Sequence, residues 1–190
     1  MTRLLFAASA AALLVAACND QGDSDAVNAA QDAASVPVGQ ASAAMNAQST
    51  EGYVTAAAMG DMYEIEAAKV ALERSTNAEV KALATMIRDD HMAASEKMKG
   101  LVPQAAPGAT LPTALDERHQ GMVDNLKGAS ADMFDGVYLD QQIAAHNEAV
   151  ALHRGFQDNT DAPTLAAFAR EVLPKIEAHL ARAQELDSAN

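Results

Sequence analysis

The chain has 190 residues, 49% of them hydrophobic but only 4% aromatic, with no tryptophan and with alanine recurring almost throughout. That profile fits a small helical domain and argues against a sheet protein built on β-branched and aromatic residues. Against 13 Lys and Arg stand 26 Asp and Glu, a formal charge of -13. Nucleic acid is therefore not an expected partner, because its phosphates are held by clustered basic residues, and cations are the more natural small ligands.

Residues 1–17 read as an address. Arg3 supplies a positive start, Leu4 to Val15 form an apolar run too short for a membrane span, and Val15-Ala16-Ala17 place small residues before Cys18. The pattern predicts a lipoprotein signal peptide, with Cys18 lipidated as the first residue of the mature chain and the membrane as a partner through that lipid. Periplasmic location follows, and Asn19 directly after the cysteine favours the outer membrane over the inner. Cys18 is the single cysteine, so neither a disulfide nor a cysteine metal ligand is expected. Residues 18–52 are then predicted to be a disordered tether, since Ala, Ser, Gln, Asn, Asp and Gly without large apolar residues bury too little surface to offset the entropy of ordering. Their alanine content allows transient helix.

Residues 53–188 carry the domain, with four long helical patterns and one short one. The first, at about 51–74, has Met59, Met62, Ile65 and Leu72 on one side and a small-residue face around Glu64 on another. Thr76 and Glu79 fit a capping box for the second, which carries Val80, Leu83, Ile87, His91, Ala94, Met98 and Leu101 and is expected to stop near Gly100. A shorter helix is predicted at about 113–127, and a third long helix at about 131–158 after a cap at Ser130. The fourth, at about 163–187, shows Leu165, Phe168, Val172, Ile176, His179, Ala183 and Leu186, and Pro174 is expected to kink it just before His179. Short connections favour antiparallel neighbours, so the predicted fold is all-α, an up-and-down four-helix bundle with an additional short helix between the second and third long ones. Leu83, Ile87, Phe168, Val172 and Ile176 are expected in the core, and Arg88, Lys97 and Glu171 in solvent.

Three of the apolar stripes are each interrupted by one histidine: His91, His146 and His179. Glu64 lies on the alanine face of the first helix, and Asp90 is placed either to point inward or to accept from His91. The three histidines and Glu64 all fall about thirteen to sixteen residues into their predicted helices, which puts them within about one helical turn of a common plane. Imidazoles and carboxylates buried without partners cost roughly 1–3 kcal/mol each, so they must find one another, water or an ion. Glu64, Asp90, His91, His146 and His179 are therefore the candidate metal ligands, suited to a single transition-metal ion, Zn, Cu, Fe or Mn. His119 and His153 read as helix-edge, exposed residues, and most methionines as core packing rather than soft ligands.

The stretches YEIEAAKVAL, VKALATMIRDDH, MFDGVYLDQQIAAH and LPKIEAHLARAQEL, in that order and spacing, resemble the bacterial domain of unknown function 4142 family. The matching positions are Glu64, then Asp90 and His91, then Phe134, Asp135, Tyr138 and His146, then Leu173, Pro174 and His179. The resemblance implies a ferritin-like bundle in an exported protein and carries no settled activity. The chain departs from dinuclear carboxylate bundles, which use a Glu-x-x-His pair on each of two helices. Arg88 stands three residues before His91, and Ile176 three before His179, so di-iron chemistry is not expected.

The function predicted from these residues is a lipid-anchored periplasmic bundle binding a transition-metal ion through an inward His/Glu layer. The alternative is a non-catalytic envelope-stress or protein-interaction module whose buried histidines are structural. No residue set points to catalysis, and none identifies a protein partner.

Overall fold

The computed structural model describes residues 21–189, which form six α-helices: α1 (Gln21–Asn46), α2 (Thr50–Arg74), α3 (Ala78–Ala105), α4 (Glu117–Gly128), α5 (Phe134–Phe156) and α6 (Pro163–Ser188). There is no strand among the described residues, so the all-α class is observed. The leader and Cys18 lie outside the described residues. No helix of those described is long and apolar enough to cross a membrane.

Helix boundaries follow the local capping chemistry. Ser49 opens α2 by accepting a hydrogen bond from the Gly52 N–H at 3.1 Å. Asn77, not Thr76, caps α3, its Oδ1 accepting from the Glu79 N–H at 2.9 Å. The Glu79 side chain reaches across to Arg182 of α6 instead of closing a capping box. Asp116 caps α4 through the His119 N–H at 2.8 Å, which starts that helix later than expected. Ser130 is not a cap: its N–H donates to Asp25, and α5 begins at Phe134 with no side-chain cap. The helix α3 runs past Gly100 and Pro103 to Ala105, because Leu101 and Val102 pack into the core there. Likewise α6 continues unbroken through Pro174.

The bundle proper is a ring in which α2 packs on α3, α3 on α6, α6 on α5 and α5 on α2. Every neighbour runs antiparallel: α3 and α6 pair Glu79 with Arg182 and Lys97 with Glu171, α2 and α5 pair Tyr53 with His153 and Tyr63 with Gln141, and short turns reverse the chain between α2 and α3 and between α5 and α6. Helices α3 and α5 are thus diagonal and point the same way. The segment carrying α4 must therefore travel the length of the bundle, a single long crossover of the kind found in ferritin-like bundles. Arg74 ends that journey, donating from one guanidinium to the carbonyls of Leu126, Lys127 and Ala129 while stacking over Phe134 at 4.8 Å.

The predicted tether is corrected by α1, which lies along α5 and touches α2 and α4. Composition alone misleads here because the helix is held by tertiary contacts: Ala43 and Ala47 are buried in the core, and Asp32 accepts hydrogen bonds from Asn125 and Gln141. Close approach is possible through two glycines. A Cβ at Gly39 would overlap the Glu148 carboxylate, and one at Gly155 would lie 2.8 Å from the Ala47 Cβ. Glu148 itself is held by Arg118 of α4 in a two-pronged ion pair.

Leu83, Ile87, Phe168, Val172 and Ile176 are all buried, as expected. Lys97 and Glu171 are exposed and Arg88 is half-buried. The methionines are the exception. Met98 and Met122 are buried, but Met59 and Met62 are half-buried and Met86, Met92 and Met133 are exposed. On α2 the small-residue face, with Tyr53, Tyr63, Ala57, Ala67, Ala68 and Ala71, turns inward and rotates the methionines to the flank.

The apolar interior is divided in two. One cluster gathers Tyr53, Met98, Phe156, Leu165 and Phe168, and the other gathers Tyr63, Leu83, Ile87, Leu126, Phe134 and Leu139. Each bundle helix crosses from one cluster to the other, and at the crossing it buries a polar side chain: Asp61 and Glu64 on α2, His91 on α3, Gln142 and His146 on α5, and His179 on α6.

Candidate metal centre

The polar layer follows from helical spacing. Asp61 and Glu64 are three residues apart and so share the inward face of α2, while Gln142 and His146 are four apart on α5. His91 and His179 occupy stripe positions where their neighbours one turn away are apolar. All three imidazoles are buried, and their ring centroids lie 5.3–5.7 Å apart. One nitrogen from each ring lies within 4.8 Å of the other two.

Each ring has one nitrogen fixed on an outer oxygen. His91 Nδ1 lies 2.7 Å from Asp61 Oδ1, His146 Nδ1 is 2.9 Å from the Gln142 carbonyl, and His179 Nε2 is 3.1 Å from Asp90 Oδ2. Carboxylate and carbonyl oxygens only accept, so each of these nitrogens donates its N–H outward. The nitrogens left inward are His91 Nε2, His146 Nε2 and His179 Nδ1. His91 Nε2 is buried with no hydrogen-bond partner among the described residues, and His146 Nε2 and His179 Nδ1 face each other at 3.3 Å.

Burial alone would push the His91 pKa down, but its hydrogen bond to Asp61 and the charges of Asp61, Glu64 and Asp90 prevail and raise it. Burial, reinforced by His91 and His179, holds His146 well below the usual histidine range. His179 is lowered by burial and by His91, with Asp90 opposing. Burial raises Glu64 to about 7, against the opposing pull of His91.

Of the five residues predicted as ligands, the structure brings the three histidines together and sets the two acids behind them. Glu64 Oε1 stands 3.4 Å from His146 Nδ1, the outward nitrogen, and its Oε2 is buried without a hydrogen-bond partner among the described residues. Asp90 lies toward the surface, bridging His179 and Lys175.

Sequence reasoning missed Asp61, although its spacing of three from Glu64 on the same helix face was available as a signal. The expected exposure of two histidines is corrected. His153 is buried, seven residues after His146 on the same face of α5, with its Nδ1 3.0 Å from Tyr53 Oη. Burial depresses its pKa to about 3. His119 is half-buried on α4, bonded to Asp116 and tilted against Tyr63.

The family described as Domain of unknown function (DUF4142) matches residues 35–186. The chain belongs to that family, and the match includes the second part of α1 as well as the whole bundle. Neither the curated proteins nor the solved structures contain a match.

Proposed function

We propose that this chain binds one transition-metal ion through His91, His146 and His179 and that it does so in the periplasm, anchored by a lipid on Cys18. The observation that carries the reading is the direction of the three imidazoles. With all three outer nitrogens donating outward, three lone pairs converge inward, and lone pairs 3.3 Å apart repel unless a cation lies between them. That separation suits neighbouring ligands of a tetrahedral ion, whose bonds of about 2.0–2.1 Å set nitrogens about 3.3–3.4 Å apart. Outer acceptors on ligating histidines are the usual device for fixing ring orientation and raising basicity, and Asp61, the Gln142 carbonyl and Asp90 supply it here.

An all-imidazole donor set favours Zn or Cu(II) among Zn, Cu, Fe and Mn. The chain's role on this reading is to hold or buffer the ion. Stoichiometric metal should raise the melting temperature of chelator-treated protein. Absence of any rise across Zn, Cu, Mn and Fe at neutral pH would make the layer a structural histidine cluster, with a proton on His91 in place of the ion. The anchoring has its own test. Cys18→Ala should move the protein from the membrane fraction to the soluble periplasmic fraction with its helical circular dichroism unchanged, and retention on the membrane would refute the lipid.

A further inference from the structure

Between α3 and α6 a cavity of about 120 Å³ reaches the histidine layer. It is smaller than a void of roughly 150 Å³ that accommodates benzene, so it suits a ligand of a few heavy atoms. Its walls are apolar, formed by Ala94, Phe168, Val172 and Ile176. His91, His179, His153 and Asp61 also line it, and His146 does not. Apolar walls with a few convergent polar groups are the usual form of a small-molecule site.

The charged groups lining this cavity are already engaged. Asp61 uses one oxygen for His91 and the other for Ser95 Oγ at 3.2 Å. Asp90 divides its oxygens between Lys175 at 2.6 Å and His179. Glu171 is paired with Lys97 across the opening. What remains is His153. Tyr53 Oη has no other hydrogen-bond partner among the described residues, so its buried O–H donates to His153 Nδ1 and leaves the ring proton on Nε2. That N–H has no partner among the described residues. A metal ion on the three histidines and an N–H on His153 both seek lone pairs, and no carboxylate of the cavity is free to supply them. Glu64 does not line this cavity; it borders a neighbouring one on the side of α1 and α4, which shares Asp61, His91 and His153 with the first.

We infer that the cavity between α3 and α6 admits a small anion of a few heavy atoms to an open coordination position on the metal, with His153 donating a hydrogen bond to it. This rests on the metal-binding reading above and extends it. The centre is then an open one that takes up an exogenous ligand, not a closed structural site.

The test is azide titration of the full chain loaded with one equivalent of cobalt(II), followed by visible absorption. A saturable spectral change is expected. Ala94→Leu, which fills the cavity without touching a ligand, should weaken azide binding at least tenfold with cobalt stoichiometry unchanged, and Val172→Phe should do the same from the opposite wall. His153→Phe should weaken azide severalfold and leave cobalt uptake intact. A stoichiometrically loaded protein whose spectrum ignores azide overturns the open position, and equal azide affinity in both filled variants overturns the route. Failure to take up cobalt, measured separately by metal analysis, defeats the metal reading and this inference together.

Discussion

His146 and His153 lie on the same face of one helix, seven residues apart, both buried, and they meet opposite surroundings. His153 Nδ1 is matched by a tyrosine hydroxyl, and that tyrosine ring is stacked on Phe156 at 3.8 Å, so the lone pair of this ring is answered by a donor. His146 turns its inner nitrogen toward a second imidazole and stands beside a third. Burial is therefore no guide to which histidines are placed to hold an ion. The distinction lies in whether a ring's lone pair is answered by a donor or faces other lone pairs.

The largest expected effect comes from removing that convergence. With free metal at a thousand times Kd, binding should stabilise the fold by about 4 kcal/mol. His91→Ala with His179→Ala should abolish the whole of this increment, whereas His153→Phe should keep it. Thermal melts with and without zinc decide the matter, and loss of the increment in the His153 variant would erase the contrast between the two sites.

Next in size is Glu64, which sits behind His146. Its pKa is raised from 4.5 unfolded to about 7 folded, so the folded state holds a proton that the unfolded state has lost between those values. That contribution is complete below about pH 4.5 and is lost as pH rises through about 7, an effect on the order of 3 kcal/mol. Glu64→Gln should remove this slope from the stability of metal-free protein measured by urea unfolding. An unchanged slope would mean that Glu64 is ionised in the folded state.

Asp61 tests the outer shell. Asp61→Ala frees the outward nitrogen of His91, and loss of such a partner weakens metal binding about 10–100-fold. Competition with a chromophoric chelator measures this, and an affinity within twofold of the parent would show that Asp61 does not orient the ring.

The last effect belongs to the Tyr53–His153 pair and shows in acid, below the neutral range. His153 is lowered from 6.5 to about 3, so between those values the unfolded chain binds a proton that the folded chain does not. Stability is lost as pH falls through that window, and His153→Phe should flatten the decline in metal-free protein at a cost of about 1–3 kcal/mol near neutral pH for the stranded Tyr53 hydroxyl. A steeper acid decline in the variant would contradict the neutral state of His153.

The stripes of α3 and α6 were legible because apolar residues recur at helical spacing and only one position in each breaks the pattern. The common depth of His91, His146 and His179 was legible for the same reason: antiparallel helices of similar length register their midpoints. Asp61 was legible only through its spacing from Glu64, because an acid between Gly60 and Met62 otherwise reads as solvent-facing until the partner helix is known. The place of His153 near a helix end predicts exposure, although the heptad spacing from His146 points inward. The most consequential miss was α1, whose sequence has no apolar stripe of its own and whose order comes from what it lies against. The crossover carrying α4 was hidden as well, since connection lengths alone do not show which helices are diagonal.

The contact at Gly39 has a consequence for where the chain enters the fold. One turn away on α1 stand Ser35 and Val36 on one side, and Ser42 and Ala43 on the other, and each carries the Cβ that Gly39 lacks. Sliding α1 by a turn in either direction would drive one of those side chains into Glu148, which Arg118 holds in place. The helix therefore has one seat. The 18 residue steps from Gln21 to Gly39, about 27 Å at 1.5 Å per residue, act as a ruler: they set a fixed distance and heading from residue 21 to the level of the histidine layer, where a loose strand would allow a range of both.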